Sequence, residues 1–162
     1  MAVRPSRLWK DMPLEKRIAA AEAFWRDDQG AEQQAEATVL LAKRLNFRTK
    51  SVFALPIERR ARHLANAADV SDIVAGRALV AYHFANERPM MKTFLDAIGL
   101  AHEDGLITAE NVPPPDATKL TAAVDALKAA YPAGDVDLYL RTLVALDGDT
   151  WSGLDAMLPA SA

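Results

Sequence analysis

The chain has 162 residues and a net charge of −3; half of it is hydrophobic and a quarter is charged. That is the balance of a globular domain long enough to bury a core, and it excludes a polycation drawn to nucleic acid by bulk charge. Cysteine is absent, which removes disulfides, thiolate nucleophiles, iron–sulfur clusters and cysteine-ligated zinc. The N-terminal residues lack the apolar core of a secretory signal, and no apolar run approaches the ~20 residues of a membrane span. The expectation is a soluble, cytoplasmic protein with no membrane contact.

Residues 1–10 read as an arm, with Leu8 and Trp9 docked on the body and Arg4, Arg7 and Lys10 in water. Asp11 or Met12 is expected to cap a helix that has Pro13 in its first turn. Leu14, Ile18, Ala21 and Trp25 form its inner face. Residues 27–30 end it. A second helix over 31–45 should turn Ala35, Val39, Ala42 and Leu45 inward, and the short gap predicts an antiparallel hairpin. Thr49 is expected to cap a short helix through Leu55 that carries Val52 and Phe53. Pro56 restarts the chain, and Ile57, Ala61, Leu64 and Ala65 make the next inward stripe, with Arg59, Arg60 and Arg62 on the other face.

Residues 70–107 organise the remainder. Ser71 is a good N-cap, and Asp72 adds negative charge at the positive end of the helix dipole. From Ile73 to Ala85 nearly every residue is apolar or small, so this helix, placed over 71–87, needs neighbours on several sides. Gly76 inside it points to a close helix crossing. Pro89 suits the first turn of the following helix, where Met90, Met91, Phe94, Leu95 and Ile98 form one stripe. Gly105 followed by Leu106 reads as its C-cap, which leaves Gly99 inside.

The prolines of residues 108–116 favour extended geometry and read as a rigid connector. Beyond them, Asp116 or Thr118 caps a helix with Leu120, Val124 and Leu127 inward, stopped at Tyr131 and Pro132. Asp135 is expected to cap another with Val136, Leu140, Leu143 and Val144 inward, ended by Gly148. A last short helix carries Leu154 and Leu158. No period of ~20 to ~50 residues recurs, so a helical repeat array is not expected.

The fold class is therefore all-α: a single-domain bundle of about seven or eight helices, in antiparallel hairpins around the buried helix 71–87. Short helices and frequent breaks admit orthogonal crossings. Residues 1–107 form the main helical part, 108–116 the connector, and residues 117–162 further helices on the same core.

Chemistry is hard to find. The histidines are His63, His83 and His102. His83 and Glu87 are four apart, hence on one helix face, with Arg77 nearby in the helix. These three are the candidate pocket residues should the chain be an enzyme of unfamiliar type. His102 would lie roughly 20 Å along the axis from Pro89, too far from His83 for a joint metal site. It reads instead as a cation at the negative end of a helix. His102-Glu103 begins a zinc-protease string, but Leu106 stands where the second histidine belongs. No metal and no cofactor is expected. Ser152 lacks the first glycine of a nucleophile elbow, and no glycine-rich phosphate loop occurs.

Charge is unevenly spread. Lys43, Arg44, Arg48, Lys50, Arg59, Arg60 and Arg62 are relieved only by Glu58. After His102 the chain holds ten carboxylates against Lys119, Lys128 and Arg141. The basic segment is either a polyanion-binding site, to which Asn46, Phe47 and Phe53 could add contacts if exposed, or a face that meets the acidic helices. Phe53, beside Val52 and Leu55, is expected in the core, as are Trp9, Trp25 and Trp151. The leading expectation is a non-enzymatic interaction or regulatory module with a protein partner. Nucleic-acid or other polyanion binding is second, and an enzyme third.

Overall fold

A computed structural model describes residues 3–159. The described residues form ten α-helices and one very short β-hairpin, an all-α fold of packed helices. The described residues divide into two compact units, Arg4–Ala85 and residues 86–159 together with Val3. The division falls at the end of the helix expected to be central. Residues 1–2 of the expected arm and the last three residues lie outside the described chain.

The first unit holds α1 (Pro5–Asp11), α2 (Leu14–Arg26), α3 (Ala31–Leu45), α4 (Thr49–Phe53), α5 (Ile57–Ala65) and α6 (Asp72–Asn86), whose last residue begins the second unit. The expected arm is itself helical: Pro5 supplies the preset φ of a first turn. Leu8 and Trp9 are buried and Arg4, Arg7 and Lys10 exposed, as expected. The Trp9 indole N–H donates to the Ala67 carbonyl at 3.2 Å, fixing α1 to the loop after α5.

The inner faces of α2 and α3 match the expected ones only in part: Ala21, Trp25 and Ala42 are buried as expected, and Ile18 and Leu45 are half-buried. Ala20, Ala21, Phe24 and Trp25 are buried in α2, while Leu14 is exposed. In α3 the buried set is Ala37, Thr38, Leu41 and Ala42, with Ala35 and Val39 in water. An alanine-rich helix offers more than one apolar stripe, and the partner decides which is used. Here α2 packs chiefly on α5 rather than on α3, and α3 packs on α4 and α5. Thr38 is tolerated inside because its hydroxyl donates to the Gln34 carbonyl one turn back at 2.7 Å. Neither Asp11 nor Met12 caps α2; Pro13 holds that position, and Met12 is buried at the end of α1.

α6 is buried over most of its circumference, from Val74 through His83, as its apolar run requires. Ser71 caps it: the Val74 N–H donates to the Ser71 hydroxyl at 3.2 Å. The hydroxyl in turn donates to the Glu36 carboxylate.

The second unit holds α7 (Arg88–Ala97), the strands β1 (His102–Glu103) and β2 (Leu106–Ile107), α8 (Ala117–Ala130), α9 (Ala133–Leu146) and α10 (Ser152–Asp155). α7 packs on α8, α8 on α9, and α10 on both α8 and α9. Met90, Met91, Phe94, Leu95 and Ile98 are all buried, the predicted stripe. The Phe94 ring meets Tyr139 edge-on at 5.6 Å and tilts against Trp151 at 5.8 Å. Asp116 caps α8, accepting from the N–H groups of Thr118 and Lys119.

α7 ends earlier than expected. Gly99, at φ +71°, takes the left-handed position, and the Leu100 N–H reaches the Leu95 carbonyl at 3.0 Å, closing a Schellman motif. Gly105 then has another role. With Asp104 it forms the two-residue turn of the hairpin, both residues at positive φ, pairing His102 with Ile107 and Glu103 with Leu106.

Candidate polyanion-binding surface

Of the pocket candidates Arg77, His83 and Glu87, the first two lie on α6 and the third lies beyond its end. Arg77 is an ion-pair partner: its Nε lies 2.5 Å from Asp27 Oδ2, with both side chains largely covered. Burial opposes ionisation of Asp27, but the Arg77 guanidinium and the Gln29 N–H hold its carboxyl below the usual range. His83 is 2% exposed, and its ring stands edge-on to Tyr82 at 5.3 Å. Glu87 is not on the face of α6 at all. The helix stops at Asn86, and Glu87 holds the N-cap position of α7, where its carbonyl accepts from the Met91 N–H. Among the described residues no group of three or more His, Asp or Glu is arranged to hold a metal ion.

His102 sits on β1, not at a helix end. Its Nδ1 accepts from the Gly105 N–H at 3.1 Å, and its Nε2 lies 2.6 Å from Asp96 Oδ1. Both ring nitrogens are thus committed to holding the turn.

The basic residues are more open to solvent. Lys43, Arg44, Arg48, Lys50, Arg59 and Arg62 are exposed and Arg60 half-buried. The topology gathers them in the first unit, since α3 packs on both α4 and α5. Arg44 donates to the carbonyl of Asn66, and the Asn66 side chain donates to that of Arg62. The C-terminal ends of α3 and α5 therefore lie together.

Two of the seven cations are engaged locally. Arg60 donates from Nε to the Leu55 carbonyl at 3.1 Å and lies over the Trp25 ring at 5.0 Å. Arg44 reaches Asp69 at 4.0 Å in addition to Asn66. Lys43, Arg48, Lys50, Arg59 and Arg62 have no ion-pair partner among the described residues. The segment's one acid, Glu58, is already held by Arg26 at 3.4 Å.

The sequence reading misplaced one ring. Phe53 is 53% exposed rather than in the core, and Phe47 is 46% exposed. A single-turn helix can bury one of two adjacent apolar residues, and Val52 takes that place in α4. That brevity signals that one of the two is exposed, but not which. Asn46 contributes through its backbone: at φ 56° it is the left-handed residue that ends α3.

A shallow cleft of about 230 Å³ lies along α3, lined by Glu36, Val39, Leu40, Lys43, Asp69, Ser71 and Val74. Nothing in the sequence pointed to it. It adjoins the cationic stretch through Lys43 but also holds the carboxylates of Glu36 and Asp69.

No described helix is long and apolar enough to cross a membrane. No protein-family model, no curated protein and no solved structure matches the chain.

Proposed function

We propose that the chain is a non-enzymatic helical module that binds polyanions through residues 43–62. One observation carries this reading. Five exposed cations in one stretch lack ion-pair partners among the described residues, and the only acid between them is neutralised from outside the segment. Lys and Arg side chains left in this state gain by displacing the counterions condensed on a polyanion. The net charge of −3 does not oppose this at close range. At physiological salt charges are screened beyond ~8 Å, so a ligand responds to the cations it touches and not to distant carboxylates.

Chromatography on immobilised heparin tests the reading. The protein should be retained at low salt and elute as salt rises. The K50E/R59E double variant should pass through unretained. Lys50 and Arg59 lie in the first turns of α4 and α5, where a carboxylate favours the helix dipole, so the variant keeps its fold. Elution of the native protein without retention at low salt would overturn the proposal.

A further inference from the structure

Of the chain's five phenylalanines, Phe47 and Phe53 are the exposed ones, and both fall among the free cations. The backbone holds them outward. The turn that closes α3 places Phe47 just beyond its end, the Phe47 N–H bonded to the Ala42 carbonyl at 2.8 Å. In α4, Val52 takes the buried position, and Phe53, about 100° further round the helix, faces water. Arg48 follows Phe47 directly, and Lys50 precedes Phe53 by three residues, on the same side of α4. Two extended steps and one helical turn separate the rings, so their Cα atoms are no more than about 14 Å apart. That is within reach of a few nucleotides.

Flat rings interleaved with cations serve one class of polyanion better than the others. An unpaired nucleic-acid strand offers a phosphate for each cation and a free base for each ring. A duplex keeps its bases stacked inside, leaving phosphate and groove contacts that use no ring. Heparin and acidic polypeptides carry charge without an aromatic face. We infer that the module's ligand is single-stranded nucleic acid, with Phe47 and Phe53 stacking on bases and Arg48, Lys50, Arg59 and Arg62 contacting phosphates. The inference rests on the polyanion reading above and narrows it.

Fluorescence anisotropy with the full chain tests it, using a labelled oligothymidylate, a duplex of equal length, heparin and polyglutamate at one salt concentration. The single strand should bind tightest. F47A and F53A should each weaken it about tenfold, leaving heparin affinity within twofold. Both rings are exposed, so the variants should keep the native circular dichroism spectrum. F47L and F53L should fail like the alanines, since they keep apolar area but lose the flat ring; F47W and F53W should retain affinity. Heparin binding with no effect of the Phe variants on the oligonucleotide, or equal binding of duplex or polyglutamate, would overturn the inference while leaving polyanion binding intact. Loss of heparin retention in the native protein would overturn both.

Discussion

Asp27 and Arg77, fifty positions apart in the chain, meet at 2.5 Å. The pair ties the turn after α2 to the middle of α6. It is reinforced on both sides. The Asp27 second oxygen accepts from the Gln29 N–H at 3.0 Å, and the Gln34 amide spans the carbonyls of Phe24 and Asp27. A cation in an otherwise apolar helix thus has a structural explanation, and that removes Arg77 from the list of free functional groups.

Removing either partner leaves a largely covered charge alone. D27N or R77A should each cost about 1–3 kcal/mol at neutral pH, less than additively when combined. The pH dependence has a definite sign. A carboxyl held low in the folded state stabilises the fold above its unfolded value, here 3.8, and that contribution fades as pH falls through the lower folded value. The stability gap between the native protein and D27N, from urea unfolding at a series of pH values, should therefore be constant above the ordinary carboxylate range and shrink below it. Asp72 and Asp147 are also held low, by hydrogen bonds from Ser6 and Thr150, so the comparison must be between variants and not on the native curve alone.

The cap of α6 gives a second test. S71A should cost about 1 kcal/mol, the usual loss of an N-cap oxygen. Aspartate caps as well as serine in general, but here the hydroxyl also donates to Glu36. S71D would set two carboxylates side by side, so it should be less stable than S71A. S71D/E36Q should recover most of that loss. Thermal unfolding at low and high salt checks this, because the penalty should shrink with screening.

What the sequence revealed was local. The bounds of α3, the Ser71 and Asp116 caps and the α7 stripe all depend on residues within a turn or two of one another. Where distant chain decided the outcome, the reading failed. The exposure of Leu14, Ala35 and Val39, expected inward, depends on how α2 and α3 meet α5, and the role of Arg77 depends on Asp27. The hairpin was a different kind of miss: Asp104-Gly105 is a strong turn signal, but two-residue strands show no alternation, and a helix drawn through Gly99 absorbed it. For the binding surface, the cations were legible because charge is exposed by default. The exposure of Phe53 was not, because hydrophobic neighbours in sequence do not say which of them a five-residue helix will bury.

Two glycines should respond to alanine for opposite reasons. Gly99 has open space, the nearest atom to an added Cβ being Lys119 Nζ at 4.0 Å, but its φ of +71° strains any L side chain. G99A should cost about 1 kcal/mol. Gly153 would place a Cβ 2.8 Å from Leu120 Cδ1, in the core of the second unit. G153A should cost about 1–3 kcal/mol through overpacking. The double variant with L120V should be less destabilised than the sum of the singles, whereas L120V should not relieve G99A. Chemical denaturation of the four proteins and of L120V alone decides it.

His102 allows a prediction about a single proton. Its Nδ1 accepts from the Gly105 N–H, so in the neutral ring the hydrogen must sit on Nε2, where it is donated to Asp96. Nitrogen chemical shifts should show the Nε2–H tautomer. D96A should leave that tautomer in place, because the Gly105 bond fixes it from the other side. H102A should open the turn, speeding hydrogen exchange at Gly105 while the amides of α7 keep their protection, at a global cost of about 1 kcal/mol. An Nδ1–H tautomer in the native protein, or unchanged exchange at Gly105 in H102A, would mean that the ring does not hold the hairpin and that Asp104 and Gly105 suffice by their backbone preference alone.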